Sequence, residues 1–454
     1  MSPTLDGCAP WPEEYVDRYW AAGHWRGNSL DNLLRGWALQ YGPRTALVHG
    51  DTRITYAALN RRVGRTAAGF RLRGLRPGQR VVVQMPNVPE FVITVFALMR
   101  AGAVPVLCPL PLGAPEVSRI VRHTQAVGYV GPSTYRGVDR IAMAAAIAAE
   151  GPFLRRVFPF EEPGTASPYG GFTTDTSGCH YFPLASLDSP PDQPLARGAD
   201  QVALLLRAAR DGGARDAPLL VPRTHDDYAY QARAAAEAVS LTEDDVYLAA
   251  LPADRNLTFG CPGIIGTLTV GGAVVLLDDP DPAACLAAIE REGVTVASVT
   301  PAGARAWLDA LPATGAGPGT LRLVQCDGGP LPRDVAERIG AELGCRLQRV
   351  FDLPEGLVTL TRPGDPQETV LTTRGRALSP DDEIRIVDAE GADVPDGEPG
   401  EILVRGPYAP RGYYRAPDHD ARAFTTDGFL RTGERARRTP DGHLVPVGPP
   451  GDPR

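Results

Sequence analysis

The chain contains no lysine, so all 46 of its basic residues are arginine. A composition rich in alanine, arginine, glycine and proline accounts for that loss through GC-rich codon usage. Any chemistry that needs a compact, mobile ammonium is nevertheless excluded, because the planar guanidinium is a poor substitute for it. Cysteine is scarce and scattered: positions 8, 108, 179, 261, 285, 326 and 345 contain no C-x-x-C pair. This spacing argues against a zinc site and a disulfide framework. No apolar run approaches the ~18 residues of a membrane span; the run from Phe91 is interrupted by Arg100, Pro105 and Pro109. The first twenty residues carry Asp6, Glu13, Glu14 and Asp17, the wrong sign for a secretory leader. A basic excess is also missing: the net charge of −8 leaves no footprint for nucleic acid or an anionic membrane surface. The expectation is a cytoplasmic protein with neither kind of partner.

What is present is an ordinary globular composition, 43% hydrophobic and 22% charged, enough to build buried cores. At roughly 150 residues per lobe, 454 residues suggest three. Between Ile54 and Leu107 a strand at Ile54–Tyr56, a helix from Ala57 to Arg73, a strand at Arg80–Met85, a helix from Pro89 to Met99 and a strand at Val104–Leu107 alternate. That alternation predicts parallel βαβ units. Residues 161–200 are rich in Pro, Gly, Ser, Thr and Asp without a period and read as a long loop or lobe boundary. A second α/β stretch follows, clearest in the strand Leu321–Cys326, the helix Arg333–Leu343 and the strand Arg346–Phe351. After Leu360 come short strands at Asp382–Asp388, Gly400–Arg405 and Gly442–Val447, separated by turns. The fold class expected is α/β, with two α/β lobes (1–185 and 186–355), a small β-barrel-like lobe (356–447) and a short tail (448–454). No internal repeat is apparent.

Residues 210–223 read Arg-Asp-Gly-Gly-Ala-Arg-Asp-Ala-Pro-Leu-Leu-Val-Pro-Arg, between an apolar strand and Thr224-His225-Asp226-Asp227-Tyr228. With this run go Pro10-Trp11-Pro12-Glu13-Glu14, Gly344-Cys345-Arg346-Leu347-Gln348-Arg349-Val350-Phe351 and Glu355-Gly356-Leu357-Val358. Pro380-Asp381-Asp382-Glu383, Arg405-Gly406-Pro407-Tyr408 and Arg411-Gly412-Tyr413-Tyr414 complete the set. On these stretches the chain resembles the adenylate-forming superfamily, and within it the 2,3-dihydroxybenzoate– and salicylate–AMP ligases of siderophore pathways. The resemblance implies the large N-terminal core of such a ligase. It also implies ATP and Mg²⁺ chemistry on a carboxylate, followed by transfer to a carrier-protein thiol.

The resemblance assigns candidate residues. Asn256 corresponds to the asparagine that addresses the 2-hydroxyl of an aryl acid, and Arg255 beside it could pair with a carboxylate. Cys261 stands at a position that distinguishes dihydroxybenzoate from salicylate enzymes, with plain packing before Pro262 as the equal alternative. Gly328 and Gly329 lie in an altered turn against the substrate. Vestigial nucleotide contacts are Gly212, Gly213, Phe351, Asp352 and Glu434, the last in place of the ribose-binding aspartate. Glu355 matches the magnesium-associated glutamate, and no residue is assigned as catalytic.

The departures concentrate where ATP would be handled. Asp211 replaces a hydroxyl, Ala214-Arg215-Asp216-Ala217 replaces a Thr/Gly run, and Leu219 replaces the loop lysine. One charge-assisted hydrogen bond is worth about 1.5–3 kcal/mol, and one preorganised stabiliser about 10²–10³ in rate. Two added carboxylates near a triphosphate cost further energy, about 4 kcal/mol for a unit pair at 4 Å and an effective dielectric of ~20. Gly448-Pro449-Pro450-Gly451-Asp452-Pro453-Arg454 stands where the family's Gly-Arg-x-x-Asp hinge leads to a mobile lid, so no C-terminal lid is expected. The leading expectation is a degenerate homologue acting as an accessory protein that binds an aromatic acid or aryl thioester, with a carrier protein or another pathway enzyme as partner. A weak or repurposed adenylating or acyl-transfer enzyme, using ATP and Mg²⁺, stays open, as does a scaffold without ligand.

Overall fold

Thr55 accepts a hydrogen bond from the Ala58 N–H at 3.2 Å and thereby starts the helix Tyr56–Leu72. Tyr56, expected in the preceding strand, is thus the first helical residue, and the strand runs Thr52–Thr55. The computed structural model describes residues 5–161, 173–191, 195, 198–209, 217–278, 280–314 and 319–448. They belong to two compact units. One comprises Met1–Cys8, Gly27–Arg44 and Ile54–Asp226; the other comprises Ala9–Arg26, Thr45–Arg53 and Asp227–Arg454.

The first unit holds an eight-stranded sheet among the described residues. Its order is Leu220–Thr224, Val202–Arg207, Val104–Leu107, Arg80–Val83, Gly128–Pro132, Arg156–Phe160, His180–Tyr181 and Thr173–Thr174. The central pairs are parallel and the two end pairs antiparallel. Helix Pro89–Ala101 is buried at every position but Glu90, and Gly102, at φ +87°, ends it in the left-handed conformation. Its Arg100 can lie inside because the guanidinium donates to the carbonyls of Asn60 and Asp31 and to Asn60 Oδ1 at 2.8–3.2 Å. The stretch expected as plain loop holds two short strands. Asp175 folds them together by accepting from the Ser177 and Cys179 N–H groups, at 2.9 and 3.0 Å.

The second unit carries a parallel α/β sheet in which Thr45–His49, Ala273–Leu276, Val246–Ala249, Val296–Val299, Leu323–Cys326 and Arg346–Leu353 lie in that order. Except for Arg346–Leu353, its strands read as largely apolar runs because both faces are covered. Ile289, Trp307, Leu308, Val335 and Ile339 pack into its core, each at most 3% exposed; burial of such a side chain stabilises by about 1.5–3 kcal/mol. The β-rich lobe expected after Leu360 includes a four-stranded antiparallel sheet, Glu383–Val387, Gly400–Arg405, Leu430–Arg438 and Leu444–Pro446. Among the described residues no helix is long and apolar enough to cross a membrane.

Candidate active site

Strands Leu323–Cys326 and Arg346–Leu353 are parallel neighbours with Cys326 opposite Arg349, so their carboxyl ends bring Asp327-Gly328-Gly329 beside Phe351-Asp352. In open α/β sheets this is where ligands are received. Gly328 turns the chain there at φ +104°. Asp327 is 8% exposed, and its carboxyl accepts from the Gly328 N–H and, at 3.4 Å, from the Asp352 N–H. Burial pushes the Asp327 carboxyl above the usual carboxylate range, against the opposing influence of Arg255 and Arg374.

Side chains alternate along the strand Arg346–Leu353, so Val350 and Asp352 share one face while Arg349 and Phe351 share the other. On the first face stands the short helix Asn256–Gly260. Gln231 Nε2 donates to the Gly260 carbonyl at 3.1 Å and to Asn256 Oδ1 at 3.1 Å. A carbonyl can only accept, so both amide orientations follow, and Asn256 Nδ2 is turned towards Asp352. It donates to Asp352 Oδ1 at 2.5 Å. Cys261 is fully buried in an apolar cluster with Tyr230, Leu257, Val350 and Tyr408, an environment that suits packing. Arg255, at the start of the helix, is exposed.

On the opposite face the Arg374 guanidinium lies 5.0 Å from the Phe351 ring centroid. Arg374 is 7% and Arg349 5% exposed, and neither Nε has an acceptor. Burial lowers both guanidinium pKa values, while Asp327 pulls each of them back up. Glu434, on the strand Leu430–Arg438, adds to that pull on Arg374. Its own N–H donates to Thr432 Oγ1 at 3.1 Å. Glu355 is buried and accepts from Tyr413 Oη at 3.4 Å. Gly356 follows it at φ +81°, its Cα so close to the Tyr408 carbonyl that no side chain fits.

The second unit therefore places Asn256 against Asp352, Gly328 against Asp327, and Phe351 against Arg374. Gly212 and Gly213, with Arg210, Asp211 and Ala214-Arg215-Asp216, lie outside the described residues. Leu219 is buried, and its carbonyl accepts from the Ala208 N–H at 3.0 Å. Sequence reasoning missed Gln231, Arg349, Arg374 and Tyr413. Gln231 lies within an amphipathic helix and Arg374 in a Thr-Arg-Gly-Arg run, and neither carries a local signal of its role.

Comparison with known proteins agrees with this architecture. The family described as AMP-binding enzyme matches residues 34–171 and 217–414; the run 210–216 falls between the two segments. The chain is 38% identical to the 2,3-dihydroxybenzoate-AMP ligase of Bacillus subtilis, over 98% of this chain and 79% of the relative. It is 40% identical to the Salicyl-AMP ligase / salicyl-S-ArCP synthetase of Mycobacterium tuberculosis, over 98% and 77%. The Mycobacterium smegmatis MbtA apo structure superposes with a TM-score of 0.88 at 41% identity, covering 98% of this chain and 80% of that one. The chain belongs to the AMP-binding enzyme family, the adenylate-forming enzymes that use ATP and Mg²⁺.

Proposed function

We propose that this protein is a catalytically degenerate relative of the aryl-acid–AMP ligases, which binds an aromatic acid or aryl thioester as an accessory protein in siderophore or nonribosomal-peptide-type biosynthesis. The relatives named above support the ligand class and the pathway. A carrier protein is the natural partner, as the name of the M. tuberculosis relative suggests.

The observation that carries the loss of ATP chemistry is the Arg374–Phe351 contact at 5.0 Å. On the family resemblance Phe351 flanks the adenine, and here a buried cation lies on its ring. Asp327 adds a buried carboxyl at the adjoining turn. Glu355 and Glu434 are acids of the kind that would meet magnesium and ribose. In this reading Arg374 takes one face of the Phe351 ring and disfavours an adenine stacked there, and no step is routed through a nucleotide. What remains in this reading is Asn256 and Asp352 offering polar contacts to an aromatic acid, beside the packed apolar cluster of Cys261, Leu257 and Val350.

Calorimetric titration with salicylate, benzoate and ATP separately tests this reading. Saturable binding of an acid with no binding of ATP supports it; ATP binding in the micromolar range overturns it. A second reading, a weakly active aryl-acid adenylating ligase, is favoured by the retention of Asn256, Glu355 and Glu434. It predicts binding of a non-hydrolysable ATP analogue that Glu355→Ala abolishes.

A further inference from the structure

A cavity of about 620 Å³ lies in the first unit, a size typical of small-molecule sites. Two packed helices form one side of it. Arg62 and Arg65 on Tyr56–Leu72, and Glu90 and Thr94 on Pro89–Ala101, are spaced by three and four residues, so each pair shares a helix face. Phe160 and Glu161, at the end of the strand Arg156–Phe160, and Leu184, in the short 3₁₀ turn Leu184–Leu187, line the rest. That turn is pressed onto the first helix at Gly69, where a Cβ would stand 2.0 Å from the Leu187 carbonyl oxygen. The wall has a charge balance. Arg62 Nη2 donates to Glu90 Oε1 at 2.8 Å, and Arg65 holds Asp188 through Nε and Nη2. Both guanidiniums of the cavity are thus occupied by its own acids, and one acid is left over. Glu161 Oε1 accepts from Ser133 Oγ at 3.1 Å, and among the described residues Glu161 pairs with no cation. Thr94 is 1% exposed and its hydroxyl has no partner, but a hydroxyl serves a donor or an acceptor equally. The carboxylates therefore set the sign.

We propose that this cavity binds a small organic cation, an amine carried on an aromatic or alkyl body. The ammonium meets Glu161, and the body packs against Ile93, Phe160 and Leu184, which supply apolar lining. An anion entering the same space has to break the Arg62–Glu90 or Arg65–Asp188 pair and also face the third carboxylate. A cation meets Glu161 and breaks neither pair. The proposal stands apart from the acid-binding reading, because the cavity belongs to the first unit while Asn256, Phe351 and Asp352 belong to the second.

Tryptamine, tryptophol and indole-3-acetate share one ring system and carry a positive, zero and negative charge at pH 7, so their titration into the protein by ligand-observed NMR tests the sign. Tryptamine should bind with a Kd of about 1 mM or tighter, and tryptophol at least about fivefold more weakly. Glu161→Gln, of equal size without the charge, should bring tryptamine within about two-fold of tryptophol and leave tryptophol unchanged. Ala185, an exposed residue of the lining, locates the binding: Ala185→Trp fills the space and should remove it. Indole-3-acetate bound in the second unit is told apart because Ala185→Trp leaves it in place. If Ala185→Trp does not fold, tryptamine with the natural protein and Glu161→Gln decides. No binding of tryptamine, a tryptamine affinity unmoved by Glu161→Gln or by a folded Ala185→Trp, or indole-3-acetate held as tightly and lost in Ala185→Trp overturns the inference. Each of these results leaves the acid-binding reading untouched.

Discussion

Arg374 and Phe351 are in stacking contact, guanidinium to ring centroid at 5.0 Å, with the cation 7% exposed and its Nε without an acceptor. A cation–π contact returns about 0.5–2 kcal/mol, and Asp327 and Glu434 also favour the charged guanidinium, set against several kcal/mol for desolvating it. By uncovering the Phe351 ring, Arg374→Met should strengthen binding of adenosine monophosphate at least about tenfold by calorimetry. Unchanged nucleotide affinity would contradict this.

Asp382 gives a pH dependence. It is half-buried with its Oδ1 shielded from solvent, accepts from Tyr408 Oη and from the Ser379 N–H at 3.0 Å, and burial pushes its carboxyl up to about 8. Its folded pKa lies above the unfolded one, so the native state holds the extra proton between about pH 4 and 8. The associated stability is complete below pH 4 and is lost as pH rises towards 8. Asp382→Asn should flatten the fall in melting temperature across that window and be most favourable at its upper end. An unchanged pH profile would refute it.

Gly356 controls the backbone beside Glu355. A Cβ there would stand 2.2 Å from the Tyr408 carbonyl oxygen, at φ +81°. Gly356→Ala should cost at least about 2–3 kcal/mol in urea denaturation. Gly329→Ala, with nothing within 4 Å of its Cβ, is the control and should stay within about 1 kcal/mol. Equal effects would show that the close approach is relieved cheaply.

Gln231 is the hinge of the amide chain around Asn256. Gln231→Leu removes the donor to Asn256 Oδ1 and to the Gly260 carbonyl, leaving two buried acceptors unmet. At about 1–3 kcal/mol for each, the loss should be about 2–6 kcal/mol by denaturant titration. Discrimination among ring-substituted acids should weaken with it, because the Asn256 amide could then turn over.

Much of the frame was legible from periodicity and punctuation. The helix Pro89–Ala101 before Gly102 and the helix Arg333–Glu342 before Gly344 ended near their glycines, and the strands Val104–Leu107 and Gly400–Arg405 matched their apolar runs. The pair Thr173–Thr174 and His180–Tyr181 was not visible, since two-residue strands have no period. Motif order put forward Asn256, Phe351, Glu355 and Glu434 as site candidates. It could not supply the partners that give the site its character. That Asp352 meets Asn256 while Phe351 meets Arg374 follows from strand alternation combined with contacts across 96 and 23 positions of sequence. Both arginines at 349 and 374 read as ordinary surface charges until burial is known.

The central claim, that the site binds an acid without activating it, is tested most directly by aryl-acid-dependent ATP–pyrophosphate exchange. Salicylate, 2,3-dihydroxybenzoate, 2-aminobenzoate and benzoate would be assayed against a Glu355→Ala blank. No exchange above the blank, from a protein that binds one of these acids saturably, is the predicted result. Acid-dependent exchange above the blank would show that adenylation survives despite Arg374 and Asp327, and would contradict the account.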